Sequence, residues 1–359
     1  MVTQSLVINL SFWSDQPTGI TVYAQNLLPS LKVLDPTLVT PKPLAEYNCV
    51  PLPNNKTVAQ GLKGHLDRLI WTQLQLPKIS QGNHHLIFSP IPEAPLFSPC
   101  RYVVTVHDLI PLRYPKPVSP LTAYFKFYIP QVLKQAEHII CNSQATADDI
   151  INFWGISASK ITPILLAYDQ NHFYPAPTAN DHHYFLYLGR ADRHKNLPRL
   201  ITAFSQFSRN HPEYQLWFAG PTDKRYTPQL KQQIEELGLR DRAHFLNYIP
   251  YSQLPEVISN ATALVFPTLW EGFGLPVLEA MGCGTPVITS NCSSLPEVAG
   301  DAAILIDPTQ TQEITEAMNQ IANNADLRSR LREKGLQRAA QFSWEKTGQA
   351  TLEVLKQFL

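Results

Sequence analysis

The sequence predicts an α/β protein with two parallel sheets, one in each of two domains, and three observations predict it. Short apolar runs alternate with longer segments of helical period, which is the pattern of strand–helix–strand units whose sheets are covered on both faces. The alternation stops in the polar, proline-containing stretch 168–180 and then restarts. The chain has 359 residues, 44% hydrophobic and 16% charged, so it exceeds one typical core and carries the apolar content for two.

In the first half, strands are expected at 6–10, 85–88, 102–106, 138–142 and 161–166, with helices at about 19–31, 60–76, 119–135 and 144–154. After the linker, strands are expected at 184–188, 215–219, 243–247, 261–266, 286–289 and 303–306, with helices between them, the first over about 197–209. The last segment carries helical period in Trp344, Thr347, Leu352, Val354 and Leu355. The domains are therefore 1–170 and 171–342, followed by a terminal helix at 343–359. In such sheets ligands bind beyond the carboxyl ends of the strands, so two domains facing across a cleft would bring both sets of strand ends together.

Composition excludes several functions. Lys plus Arg and Asp plus Glu both number 29, so a zero net charge argues against a nucleic-acid partner. No apolar run approaches the roughly 18 residues of a membrane helix. The first residues lack the basic-then-apolar pattern of a secretion signal. Five cysteines, an odd number without metal-ligand spacing, point to a reducing cytoplasm. The chain contains no Asp-x-Asp, Gly-x-Ser-x-Gly, His-Glu-x-x-His or P-loop motif, and no evident nucleophile. No metal site and no cofactor are expected. Gly272-Phe273-Gly274 lacks the third glycine of a dinucleotide fingerprint.

The most informative segment runs from Trp270 to Gly282, where Glu271 and Glu279, eight residues apart, bracket a glycine-bearing loop. The apolar run 261–266 precedes it, and Pro276 suits a first helical position. Such a loop presents the backbone N–H groups of Gly272, Phe273, Gly274 and Leu275 at the positive end of a helix, a place for phosphate or diphosphate. Carboxylates are poor neighbours for an anion, so sugar hydroxyls are the natural partners of the two glutamates. A tight turn followed by a first-turn glutamate that complements the helix dipole accounts equally well for the spacing alone.

Other strand ends carry polar residues. Arg190 follows Gly189 at the end of 184–188, and Lys195 follows within five residues. The pair suits either a diphosphate clamp or ordinary solvated loop charges. The run 102–106 ends in His107-Asp108; the histidine offers a neutral hydrogen-bonding edge, a partial positive charge or a structural contact, and the aspartate caps the next turn. Gly19 is the position in the loop 14–23 that permits close backbone approach. Ser143 is placed to cap the helix at 144–154. The aromatic segment 121–128, with Lys126, is read either as a membrane-surface contact or as a buried helix face.

The string from Trp270 to Gly282 resembles the Glu-x7-Glu signature of retaining glycosyltransferase family 4, the glycosyl transferases group 1, which have the GT-B fold of two Rossmann-like domains. His107-Asp108-Leu109-Ile110-Pro111 is similar to a subgroup that contains mannosyl- and glucosyltransferases of surface-polysaccharide assembly. Gly189-Arg190 and Lys195-Asn196 match family positions, although His194 stands where some members have a second arginine. The resemblance implies an acceptor-binding first domain, a nucleotide-sugar-binding second domain, and a terminal helix that crosses back to the first. It implies Glu271 and His107 at the donor sugar, Glu279 at the ribose, and Arg190 and Lys195 at the diphosphate. It further implies metal-independent, retaining hexosyl transfer by a cytoplasmic enzyme, which is either free or peripheral at the inner face of the plasma membrane. The donor would be UDP-glucose before GDP-mannose, and the acceptor a glycan or lipid-linked oligosaccharide. A nucleotide-sugar epimerase and a non-catalytic sugar-nucleotide-binding protein are the alternatives.

Overall fold

The computed structural model of the chain describes residues 5–13, 18–52, 61–80, 85–115, 119–177 and 183–359. Residues 14–17 of the first strand–helix loop and 178–180 of the expected linker lie outside the described residues. The chain divides into two units, Met1–Leu166 with Trp344–Leu359, and Ala167–Ser343.

The first unit holds β1 (Ser5–Asn9), β2 (Thr37–Thr40), β3 (Asn48–Pro51), β4 (His85–Ser89), β5 (Arg101–Val106), β6 (His138–Cys141) and β7 (Ile161–Pro163). Its helices are α1 (Gly19–Leu31), α2 (Gly61–Leu74), α3 (Leu76–Ile79), α4 (Ile110–Arg113), α5 (Pro120–Ala123), α6 (Ile129–Gln135) and α7 (Gln144–Trp154). The sheet runs β3-β2-β1-β4-β5-β6-β7 with all pairs parallel. Val104, Val106, Ile139 and Ile150 lie in its core, as their apolar runs require.

Three details differ from expectation. β2 and β3 were not foreseen: each has only four residues, and the edge strand β3, with no fully buried position, ends at Pro51. β7 stops at Pro163 rather than 166. The helix expected over 119–135 is divided, because α5 and α6 flank a π-helical turn, Tyr124–Tyr128, in which the Ile129 N–H donates to the Tyr124 carbonyl. Pro130 has no N–H for the carbonyl four residues back and its ring crowds that carbonyl, so the chain widens there.

The terminal helix α15 (Trp344–Lys356, whose label follows the second unit's helices below) belongs to this unit and packs along α1. Leu352, Val354 and Leu355 are buried, and Thr347 Oγ1 donates to the Leu165 carbonyl at 2.8 Å. Gly348 permits the close approach: a Cβ there would stand 2.6 Å from Ser30 Cβ.

The second unit holds β8 (Tyr184–Leu188), β9 (Gln215–Ala219), β10 (Ala243–Asn247), β11 (Ala263–Phe266), β12 (Val287–Ser290) and β13 (Ile304–Ile306). Its helices are α8 (Leu197–Phe207), α9 (Thr227–Glu236), α10 (Leu254–Ser259), α11 (Leu275–Gly282), α12 (Leu295–Ala299), α13 (Thr311–Asn323) and α14 (Ala325–Ala339). The parallel order is β10-β9-β8-β11-β12-β13. Strand order reverses between β8 and β11, and in the first sheet between β1 and β4; loops leaving such a reversal part and open a crevice. The residues singled out above lie at or near these reversals.

Candidate active site

In the second unit the segment after β11 passes the turn that carries Lys195. The Leu269 N–H donates to the His194 carbonyl at 2.7 Å, which ties the two segments together. Asn196, in the left-handed region at φ 61°, directs its side-chain amide to the carbonyls of Pro267 at 3.0 Å and Pro308 at 2.7 Å. Stitched in this way, Lys195 Nζ stands 2.6 Å from Glu271 Oε1, with side chains only 15% and 10% exposed. The ammonium also lies 5.3 Å from the centre of the Phe266 ring, a cation–π contact at the end of β11.

The glycine loop is held from the other side by the turn after β12. Ser293 Oγ accepts from the Glu271 N–H at 3.1 Å, and Ser294 Oγ donates to the carbonyls of Glu271 at 3.1 Å and Phe273 at 2.6 Å. Gly274, at φ 111°, takes a conformation open to glycine and caps α11. Among the described residues, no acceptor meets the N–H groups of Phe273, Gly274 or Leu275. These donors at a helix start form an anion-binding arrangement.

The helix begins at Leu275, which makes Pro276 its second residue rather than its first and moves Glu279 out of the first turn. The dipole effect fades beyond that turn, so helix-dipole complementation does not explain Glu279. Its half-buried carboxylate has no hydrogen-bond or ion-pair partner among the described residues, and burial pushes its pKa up to about 7.

Arg190 and Lys195 do not share a partner. Arg190, 63% exposed, lies 3.7 Å from Asp192 and 4.0 Å from Asp223. Arg225 donates to Asp223 at 2.6 Å and holds that carboxyl below the usual range. Gly220 lets the β9 end approach β8, since a Cβ there would collide with the Gly189 carbonyl.

In the first unit His107 is half-buried, its Nε2 is 2.9 Å from the Pro90 carbonyl, and its ring meets the edge of Tyr23 at 4.9 Å. Burial lowers its pKa to about 4. The lowered pKa argues against the positive charge, while the structural contact and the neutral edge both stand: Nε2–H serves Pro90, and Nδ1 is left as an acceptor. Asp108 accepts from the Ile110 N–H at 3.0 Å, and Ser143 Oγ caps α7 through the Thr146 N–H at 3.1 Å, both as expected. Gly19 is the first residue of α1, and a Cβ there would meet nothing within 4 Å.

Among the described residues no three His, Cys, Asp or Glu side chains are grouped to hold a metal ion, and no helix is long and apolar enough to cross a membrane. The sequence reading named Asn196 only as a family position without its stitching role, and it missed Ser293 and Ser294. A signal for the serines existed: Ser293-Ser294-Leu295-Pro296 has the form of a strand-end turn entering a helix.

Two family models match: Glycosyltransferase Family 4 over residues 17–171 and Glycosyl transferases group 1 over residues 170–338. The chain is 31% identical to O-antigen chain mannosyltransferase B of Escherichia coli over 272 residues, 71% of this chain and 70% of that one. It is 28% identical to O-antigen chain mannosyltransferase RfbU of Salmonella typhimurium over 339 residues, 90% and 93% of the two chains. HepE from Anabaena, solved with UDP and glucose, superposes with a TM-score of 0.76 at 19% identity, covering 99% of this chain and all of that one. That likeness shows the GT-B fold of two Rossmann-like units. The chain belongs to the glycosyl transferases group 1, glycosyltransferase family 4, and is a glycosyltransferase.

Proposed function

We propose that the chain is a retaining, metal-independent hexosyltransferase that moves mannose from GDP-mannose to a glycan or lipid-linked saccharide of a surface polysaccharide. UDP-glucose, the donor favoured from sequence alone, becomes the competitor. The mannosyltransferase relatives cover up to 90% of the chain at 28–31% identity, whereas the UDP-bound neighbour shares 19%. The observation that carries the reading is the shielded Lys195–Glu271 pair beside the unpaired amides at the start of α11.

In this reading the donor diphosphate takes Lys195, Arg190 and the amides of Gly272, Phe273, Gly274 and Leu275 as its partners. Glu271, released from the lysine, accepts a hydroxyl of the sugar, and Glu279 accepts the ribose hydroxyls. His107 offers Nδ1 to a donor-sugar hydroxyl. As the C1–O bond to phosphate breaks, its electron pair leaves with the phosphate. The acceptor oxygen bonds C1 on the same face, and its proton passes to the departing phosphate oxygen. Positive charge grows on the ring and negative charge on phosphate, and stabilising both is the main catalytic term.

The test is incubation with GDP-mannose or UDP-glucose, with and without a lipid-linked saccharide, in chelator. Acceptor-dependent nucleotide release with an unchanged anomeric configuration supports the reading. An isomerised sugar without acceptor indicates an epimerase, chelator sensitivity removes metal independence, and a preference for UDP-glucose overturns the mannosyl assignment.

A further inference from the structure

The second unit carries a cavity that the donor site does not use. It measures about 320 Å³ and is lined by Asn196, Pro198, Arg199, Thr202, Gln233 and Thr311. These residues come from the start of α8, from α9 and from the first residue of α13. Arg190, Lys195, Glu271 and Glu279 are not among them. Ligand pockets run from roughly 300 to 1,000 Å³, so this one suits a small metabolite and is tight for a whole nucleotide sugar.

The lining is polar, and its hydrogen bonds leave particular atoms unengaged. Arg199 Nη1 donates to Asn196 Oδ1 at 2.8 Å and to the Pro308 carbonyl at 3.1 Å. Among the described residues its Nε and Nη2 meet no acceptor, and no carboxylate stands within ion-pair distance of the guanidinium. Those two nitrogens form the edge that grips an oxyanion through two parallel N–H bonds. Asp307 feels the guanidinium from farther off, and its Oδ1 is taken by the N–H and hydroxyl of Thr309, both at 2.7 Å. Glu313 in turn accepts from the Asp307 N–H at 2.7 Å, and neither carboxylate lines the cavity. Gln233 Nε2 donates to the Pro198 carbonyl at 2.8 Å and to Thr202 Oγ1 at 3.0 Å, which leaves Gln233 Oε1 an open acceptor. Thr311 Oγ1 likewise meets no partner among the described residues.

These open atoms select the ligand. A half-buried guanidinium with its forked edge free calls for phosphate or carboxylate, and an amide oxygen beside threonine hydroxyls calls for hydroxyl donors. We propose that this cavity binds a small phosphate monoester bearing hydroxyls, in class a phosphorylated monosaccharide. Its phosphate sits on the Nε and Nη2 edge of Arg199, and a hydroxyl donates to Gln233 Oε1. Occupancy reaches the donor site through one residue. Arg199 is bonded to Asn196, whose amide ties the Lys195 turn to the exit of β11. A ligand that fixes the guanidinium therefore fixes that turn, and the cavity acts as an effector site for transfer. The binding stands apart from the donor assignment, whereas the effector role rests on Lys195 as a partner of the diphosphate.

The experiment is calorimetric titration of the full chain with mannose 6-phosphate, inorganic phosphate and mannose in turn. Saturating GDP and UDP are present throughout, so the donor amides stay occupied whichever base they take. Mannose 6-phosphate is expected to bind, inorganic phosphate to bind more weakly, and mannose not to bind. R199Q and R199K should each lower the affinity for mannose 6-phosphate by about tenfold or more, because lysine keeps the charge and loses the fork. Q233L should weaken mannose 6-phosphate and leave inorganic phosphate unchanged. Gln233 lies away from the Asn196 turn, so Q233L, with the parent's thermal unfolding and basal transfer, keeps the test valid where R199Q disturbs that turn. With saturating donor and no added nucleotide, mannose 6-phosphate should change the parent's initial transfer rate several-fold and leave that of R199Q unchanged. No binding by the parent, binding seen only without the nucleotides, equal binding of mannose, or parental affinity in both R199Q and Q233L overturns the site. An unchanged rate in the ligand-saturated parent overturns the effector role.

Discussion

Lys195 and Glu271 are 76 positions apart, yet they close a 2.6 Å ion pair whose two side chains are nearly withdrawn from water. Removing one partner strands the other charge. Lys195→Ala or Glu271→Ala is therefore expected to lower stability by about 1–3 kcal/mol, below the full cost of a wholly buried pair because both groups retain some exposure. The double variant should recover part of that loss. Sugar transfer should fall by about a hundredfold or more in all three, since it is the transition-state charge that loses its partner. Denaturant unfolding alongside initial rates checks this. Full activity in either single variant sinks the site assignment.

Asn196 positions that pair without belonging to it. Asn196→Gly keeps the left-handed backbone and deletes both amide bonds, and should cost about 1–3 kcal/mol. Asn196→Ala adds about 1 kcal/mol of backbone strain. The ordering of the two unfolding midpoints is the measurement, and an Ala variant more stable than the Gly variant contradicts it.

Glu279 gives a pH signature. Its folded pKa of about 7 lies above the unfolded 4.5, so the native state binds more protons between those values. Stability should accordingly fall as pH rises from about 4.5 to about 7 and level off above, a slope that Glu279→Gln removes. Unfolding free energies across that range, compared between parent and variant, decide the point.

His107 contributes with the opposite sign. Burial lowers its folded pKa to about 4 from 6.5, so its share of stability is present above pH 6.5 and lost as pH falls towards 4. Its ring resonances should show no titration between about pH 5 and 8 in an NMR experiment. A midpoint near 6.5 would refute the neutral acceptor role.

Gly348→Ala should loosen the docking of α15 on α1 by about 1–3 kcal/mol, because the new methyl meets Ser30. Combining it with Ser30→Gly should restore most of the loss, whereas equal instability of the single and double variants would show that the cause lies elsewhere.

Much of this architecture was legible in the sequence because a strand buried on both faces is written as an unbroken apolar run. Tyr184 to Leu188 and Ala263 to Phe266 are such runs. β3 is not: an edge strand of Asn, Cys, Val and Pro carries no such signature. The Glu271–Glu279 spacing was legible because loop and helix are local. The ion pair with Lys195 was not, since nothing periodic links residues on different crossovers. Nor does a sequence announce that Asn196 adopts positive φ to reach the carbonyls of Pro267 and Pro308, or that two serines brace a loop more than twenty residues away.

The first unit is discontinuous, with α15 laid on α1 after the whole of the second unit has intervened. On a ribosome the second unit can close as soon as it emerges, while α1 waits with an uncovered face until α15 has been made. The domain begun first is thus completed only after the whole of the second has been made, like a clasp whose two halves are forged at different times.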